Sequence, residues 1–324
     1  MSIPDVNFKD LDKALRPNSW QEYIGQEKIK KNLEILLKAA RQRNQAPDHI
    51  LFYGAPGLGK TSLAYVIAKE YGSQLKITSG PALERASDLA SVLSNLQDGD
   101  ILFIDEIHRL NKNIEELIYP AMESGVLDIV IGKGASARVL QLELSDFTII
   151  AATTQLAKIS SPLRSRFSGG VLKLEFYSDE EIVEILKISA EKLNIENIKD
   201  KTLLKIAKAS RKTPRIANYI LKRFRDYCQV HSSGFNEESV DRTLQILEIS
   251  KNGLNKEDRE YLSALYYKFS GGPAGLKSIS ATIAEEESTI ENVIEPYLLQ
   301  EAYIERTNKG RIITEKGKSV LEDE

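Results

Sequence analysis

Apolar positions recur along this chain with two periods, and the change from one to the other divides it. Between residues 47 and 177, short apolar runs alternate with amphipathic stretches. His49-Ile-Leu-Phe-Tyr53, Ile101-Leu-Phe-Ile104 and Thr148-Ile-Ile-Ala-Ala152 have the length and branched content of buried strands. Strands separated by helical patterns predict a parallel sheet covered by helices. Residues 127–144 alternate apolar and polar side chains on either side of Gly132-Lys-Gly134, which predicts an inserted β-hairpin whose tip is a candidate docking surface. From Ser178 the pattern is helical only. Ser178 and Asp179 stand as caps ahead of Ile182, Ile185, Leu186 and Ser189, and helical runs follow over 201–210 and 214–229. Basic residues outnumber acids in these runs, which by default is a solvated face. Asn252-Gly253, within 249–254, predicts a hinge. Beyond it, Leu262, Leu265, Tyr266 and Phe269 share one stripe and Gly271-Gly-Pro273 breaks the helix. Ser288 and Glu291 have capping-box spacing ahead of Val293, Ile294, Tyr297 and Leu298. Residues 303–314 read as two short strands around a turn at 308–310. Three helices and a hairpin suggest a winged helix, so three domains are expected: 1–177, 178–248 and 251–324.

Composition restricts what such a chain can do. At 324 residues it is too long for one core. With 44 Lys+Arg against 47 Asp+Glu, the formal charge of −3 gives no global field for a polyanion, so if the chain binds DNA the contacts must be local. The single cysteine, Cys228, cannot form an internal disulfide, and His49, His108 and His231 lack zinc-ligand spacing. A reducing cytoplasm without structural zinc is the expectation. No run approaches the ~20 apolar residues needed to span a bilayer, and residues 1–12 lack a leader's apolar core. A soluble protein that is not exported is expected.

Three motifs bring chemistry into this frame. Gly54-Ala-Pro-Gly-Leu-Gly-Lys60-Thr61 has P-loop spacing and lies between an expected strand and an expected helix. Gly54, Gly57 and Gly59 let backbone N–H groups close around phosphate at a helix N-terminus, Lys60 supplies a point charge, and the Thr61 hydroxyl is placed for Mg²⁺. Asp105 and Glu106 end an apolar strand, where open α/β sheets bind ligands. Asp105 suits the Mg²⁺ shell and Glu106 the attacking water. Acids there also cap helices, but the upstream P-loop favours catalysis. A third strand ends in Thr153-Thr154, where threonines are also ordinary strand formers. Beside a P-loop, Thr154 is the preferred polar sensor. Of the arginines in Ser161-Pro-Leu-Arg164-Ser-Arg166-Phe167, Arg166 is the preferred source of transition-state charge, with a surface salt bridge as its plain alternative.

With these pieces placed, the chain resembles the AAA+ ATPases and, more narrowly, the RuvB family of Holliday junction branch-migration motors. The likeness is collinear: Leu15-Arg-Pro17, Tyr23-Ile-Gly-Gln26, Thr78-Ser-Gly-Pro81, Asp105-Glu-Ile-His-Arg-Leu110, Tyr119-Pro-Ala-Met-Glu123, Leu174-Glu-Phe-Tyr177, Thr213-Pro-Arg-Ile-Ala-Asn218, Gly271-Gly-Pro273 and Glu295-Pro-Tyr-Leu298. It implies an α/β P-loop NTPase domain, a helical lid and a C-terminal winged-helix head. It further implies a homohexameric ATP- and Mg²⁺-dependent ring on duplex DNA at Holliday junctions, in recombination and repair. Its partners would be a RuvA-like protein docked on the hairpin at 127–144, which gives Ile129 and Ile131 an alternative to a place in the core, and a RuvC-like resolvase. The resemblance assigns Leu15, Arg16, Ile24 and Tyr177 to the adenine end of the nucleotide. It adds Ser62 to the phosphate loop, puts Glu123, Ser124 and Gly125 at the edge of the same site, and makes Arg215 a sensor from the lid. Arg166 becomes a finger acting on a neighbouring subunit, and Arg306 and Arg311 become DNA contacts. Residues 302–318 carry Arg306, Lys309, Arg311, Lys316 and Lys318 against Glu305 and Glu315, the local basic patch that the net charge demands. Ala55, Ser62, Gln155, Asn308-Lys309 and a one-residue-longer Ser168-Gly-Gly170 depart from the family pattern.

Two other functions fit a P-loop chain. A protein unfoldase needs an aromatic pore loop, and no aromatic-Val-Gly motif follows the P-loop. A non-hydrolysing clamp loader has no use for Glu106.

Overall fold

The computed structural model describes residues 14–131 and 138–322. The hairpin tip Gly132-Lys-Gly134 and the side chain of Ile131, both expected to dock a partner, lie outside the described residues. Contacts group the chain into two units, Met1–Glu175 and Phe176–Glu324.

The first unit is built on a five-stranded sheet in the order β2-β3-β6-β1-β7, with strands β1 (Ile50–Tyr53), β2 (Leu75–Ser79), β3 (Ile101–Asp105), β6 (Thr148–Thr153) and β7 (Gly170–Lys173). Every pairing is parallel, with Ile50 opposite both Ile150 and Gly170, and Ile101 opposite both Leu75 and Thr148. The three strands legible in the sequence are the three central ones. Both faces of these strands are covered by helices, so their side chains are almost wholly buried, and uninterrupted apolar runs follow from that. The edge strands β2 and β7 contain no fully buried residue. Their mixed sequences gave no run to read.

Helices α1 (Glu27–Arg43), α2 (Lys60–Tyr71), α3 (Ala86–Ser94) and α4 (Lys112–Ser124), with the short α5 (Ser161–Ser165), complete this unit. Asn111 caps α4, its Oδ1 accepting from Ile114 N at 2.9 Å. The inserted hairpin is β4 (Val126–Ile131) against β5 (Arg138–Glu143), antiparallel, with Leu127 opposite Leu142. Leu127 is buried and Ile129 packs against the main core. Ile129 therefore serves the core, and among the described residues the apolar ones this hairpin exposes are Val139 and Leu140.

The second unit begins with four helices: α6 (Asp179–Lys192), α7 (Asp200–Lys208), α8 (Pro214–His231) and α9 (Glu237–Ile246). Ser178 caps α6 through a reciprocal box, accepting from Glu181 N at 3.2 Å while Glu181 accepts from Ser178 N at 2.8 Å. Many basic residues of these helices pair with acids, Lys205 with Asp241 and both Arg223 and Arg225 with Asp226, as a solvated face would.

The remainder comprises α10 (Lys256–Ser263), α11 (Leu276–Ile283), a helical segment from Glu287 through a π turn (Ile290–Ile294) into α12 (Glu295–Gln300), strands β8 (Ile304–Thr307) and β9 (Gly310–Ile313), and α13 (Glu315–Glu322). Three sequence expectations change here. The C-terminal helix α13, buried through Gly317 and Val320, adds a fourth helix to the expected three helices and hairpin. Ser288 is not a cap: it lies one residue inside the helix, and its hydroxyl donates to the Glu286 carboxylate. The expected hinge at Asn252-Gly253 is packed. Tyr297 Oη donates to Asn252 O at 2.6 Å and Leu254 is fully buried. Gly253, at φ 76°, approaches so closely that a Cβ would lie 3.0 Å from Ala209 O. A turn-forming dipeptide was a correct signal of a bend, but the bend is filled by neighbours.

Candidate active site

In a parallel sheet all strands end at one edge. That edge brings together the P-loop after β1, Asp105 and Glu106 after β3, and Thr154 after β6, which runs between the other two. Gly54, Gly57 and Gly59 all have positive φ, and α2 starts at Lys60 without a side-chain cap. The first amides of α2 thus face the loop, the arrangement that binds anions at helix N-termini. Lys60 is 8% exposed and donates to Gly54 O at 2.9 Å and Ala55 O at 2.8 Å, which folds its ammonium over the loop. Ala55 contributes through its carbonyl, so the departure from proline costs this contact nothing. Thr61 and Ser62 are half-buried on the first turn of α2.

Asp105 Oδ1 accepts from Glu106 N at 2.9 Å. Glu106 has φ 49°, ψ 42°, an uncommon conformation for a residue with a side chain. Its carboxylate pairs with Arg109 at 3.1 Å, both groups about half exposed. Beneath it, Thr153 is buried and bonds His108 Nδ1 at 3.0 Å while accepting from Gln155 N at 2.9 Å. Burial, outweighing the pull of Glu106, keeps the His108 imidazole below its ordinary pKa. Thr154 is exposed at the strand end. His108 and Thr153, which tie β6 to the Asp105-Glu106 turn, escaped the sequence reading because a lone histidine carries no pattern.

The N-terminal residues approach the same helix. Arg16 lies over the Tyr65 ring of α2 at 4.5 Å, Leu15 is buried and Ile24 half-buried. Gln26 bonds Glu175 through both its amide atoms. Tyr177 and Arg215 belong to the second unit: Tyr177 is buried, its N–H donating to Lys212 O at 3.1 Å, and Arg215 is exposed at the start of α8.

Arg166 lies elsewhere. It borders a cavity of about 660 Å³ with Asp48, His49, Glu123, Asp146 and Phe147, residues that precede β1 and β6 or end α4. This is the opposite edge of the sheet from the P-loop. The guanidinium pairs with Glu123 at 3.1 Å, donates to Pro162 O at 2.7 Å and lies over the Tyr119 ring at 4.4 Å. Tyr119 in turn donates to Glu115 at 2.6 Å, and Ser160 bonds the same carboxylate. The Arg166 Nε is buried without an acceptor. Glu123, Ser124 and Gly125, expected at the edge of the P-loop site, share this cavity with Arg166 instead. The helix α4 that carries them runs away from the Asp105-Glu106 turn, a direction that motif spacing does not reveal. His49, which accepts from Ile149 N and bonds Met122 O, has its pKa lowered by burial.

On the C-terminal hairpin, Arg306 and Arg311 are directly opposite one another. Both pair with Glu295, and both also face Glu291, Arg311 at 3.1 Å and Arg306 at 4.0 Å.

This chain matches the Holliday junction DNA helicase RuvB P-loop domain over residues 15–174, the RuvB AAA lid domain over 177–250 and the RuvB C-terminal winged helix domain over 251–322. It is 43% identical to the solved Thermotoga maritima RuvB Holliday junction branch migration motor, over 95% of this chain and 98% of that one, with a TM-score of 0.85. The chain belongs to the RuvB family. Two point mutants of the Thermotoga RuvB match with the same identity and coverage at a TM-score of 0.86. As a RuvB-family protein it is an AAA+ ATP hydrolase with a winged-helix domain, in a family of DNA branch-migration motors. Among the described residues, no helix is long and apolar enough to cross a membrane.

Proposed function

We propose that this chain drives branch migration of Holliday junctions as a homohexameric ring on duplex DNA in the cytoplasm, docked to a RuvA-like protein through the β4–β5 hairpin and working beside a RuvC-like resolvase. The single observation that carries the ring is the placement of Arg166. It sits at the sheet edge opposite its own P-loop, which supports a role as a finger toward a neighbour's nucleotide. Glu123, Ser124 and Gly125 travel with it, which makes them contacts to that neighbour's nucleotide as well.

Within the first unit, Gly57, Gly59, Lys60, Thr61 and Ser62 hold the phosphates, while Leu15, Arg16 and Ile24 take the adenine end. Thr61 and Asp105 offer a hydroxyl and a carboxylate, the hard oxygen donors that suit Mg²⁺. The ion, when bound, neutralises charge on the phosphate oxygens. Glu106 takes the role of general base toward the attacking water, with the Thr153–His108 pair fixing the turn that carries it. Thr154 senses the terminal phosphate from the end of β6. The wing that carries Arg306 and Arg311 meets the DNA backbone.

ATPase assays with and without four-way-junction DNA and the RuvA-like partner test this reading, together with the native mass of the assembly. Junction-stimulated turnover should fall roughly 10³-fold or more in Arg166→Ala. Mixing that variant with a Lys60→Ala subunit should restore activity at the interfaces where an intact finger meets an intact P-loop. Full turnover by Arg166→Ala would overturn the shared site, and turnover indifferent to DNA would overturn the motor.

A further inference from the structure

We propose that Glu295 is a positioning residue for DNA contact, a buried carboxylate that holds the two wing arginines apart and presents the outer edge of Arg306 to a phosphate. This rests on the reading that the wing touches DNA. Arg306 and Arg311 are paired across the two-stranded sheet, and like charges directly opposite repel. Glu295 lies between them at the start of α12 and has no exposed surface. Its Oε1 accepts from Arg311 Nε at 2.9 Å and from the Tyr261 hydroxyl at 2.8 Å, and its Oε2 accepts from Arg306 Nε at 2.8 Å and from Arg306 Nη2. Tyr261 is itself fully buried. Both carboxylate oxygens are thus saturated by groups from three elements.

The two arginines are not equivalent in this arrangement. Arg311 is 15% exposed, shares its Nη2 with Glu291, and has its backbone bonded in both directions to Ala274, N to O at 2.8 Å and O from N at 2.9 Å. It is scaffold. Arg306 is 43% exposed. Its Nε and Nη2 edge faces inward to Glu295, and a planar guanidinium held by that edge turns its remaining N–H groups outward. A guanidinium locked by one carboxylate loses less freedom when it meets a phosphate than a free side chain does. Arg306 is then the phosphate contact, and Arg311 and Glu295 hold it in register.

Charge and position make opposite forecasts, which provides the test. Glu295→Gln removes a negative charge beside the DNA, so electrostatics alone predicts tighter binding. Positioning predicts weaker binding. The measurement is anisotropy of a labelled duplex with the full-length protein across a salt series. Glu295→Gln should bind about tenfold more weakly at fixed salt, with a log–log salt slope shallower by about one phosphate contact. Glu291→Gln makes the same charge change at a half-exposed site and should bind more tightly. Arg306→Ala should match Glu295→Gln in slope. If Glu295→Gln binds as tightly as Glu291→Gln, Glu295 does not position the wing. Should Glu295→Gln fail to fold, Tyr261→Phe removes one of the carboxylate's anchors without altering charge, and unchanged affinity there sinks the proposal as well. If Arg306→Ala leaves affinity and slope untouched, the wing is not the DNA contact at all, a separate failure.

Discussion

Arg211 closes the joint at residues 249–254, and replacing it with methionine should destabilise the second unit in a way that depends steeply on pH. The guanidinium donates to Asp258 Oδ2 at 3.0 Å and to Val293 O at 3.3 Å, and lies over the Tyr297 ring at 4.7 Å. Asp258 has no exposed surface. Burial pushes its carboxyl up from 3.8 to about 6, and Arg211 is the main force opposing that rise. An acid with a raised folded pKa binds more protons folded than unfolded, so stability falls as pH rises from about 4 through about 6. Removing Arg211 leaves the carboxylate buried and unpaired, which typically costs about 3–5 kcal/mol. The chain can escape that cost by protonating Asp258, at about 1.4 kcal/mol per pH unit above the unfolded value. At pH 8 protonation costs about 5.7 kcal/mol and offers no escape, whereas at pH 5 it costs only about 1.6 and caps the loss there. Arg211→Met should therefore be far more damaging at pH 8 than at pH 5. Hydrogen exchange over residues 209–213 and 251–262 reads the opening locally. Trp20, the single tryptophan, lies in the first unit and serves as an internal control whose unfolding should not shift. Equal destabilisation at the two pH values would refute the account.

Glu106→Gln should retain nucleotide binding but lose roughly 10²- to 10⁴-fold in turnover, seen by fluorescent-nucleotide titration beside phosphate release; wild-type turnover would remove the residue from the chemistry. Gly80→Ala should also slow turnover, because a Cβ there would lie 2.5 Å from Glu106 O and must displace the turn that carries the carboxylate. Normal turnover in that variant would mean the turn tolerates movement. Val139→Asp, on the face of β5 turned away from the core and 66% exposed, should abolish pull-down of the RuvA-like partner while leaving basal ATPase intact, and retained binding would direct attention away from this face.

What was legible in the chain was what repetition or spacing encodes. Central strands such as Ile101–Asp105 announce themselves because burial on both faces demands unbroken apolar residues, whereas Leu75–Ser79 at the edge is under no such demand. The P-loop was readable because its glycines and Lys60 act within eight consecutive residues. Side chains that act across the fold were harder. Glu295 sits eleven residues before Arg306 and reads as an ordinary acid in a helix, yet it is among the most buried charges of the chain. The role of Glu123 came only from the resemblance, because its own stretch of sequence says nothing about which end of a helix meets which edge of a sheet. Asn252-Gly253 likewise specifies a bend, but rigidity depends on Tyr297 and Ala209, which are distant in the sequence.

The cage around Arg166 has a mechanical corollary. A guanidinium held by Glu123, Pro162 and Tyr119 cannot search for its target by changing rotamer. If it serves the next subunit, its reach is set by where its whole sheet stands, so the chemistry at each interface becomes a gauge of the spacing between two protein bodies. A ring built this way would cut its fuel only at the interface that is fully closed, and the order of firing would be written in the ring's own shape.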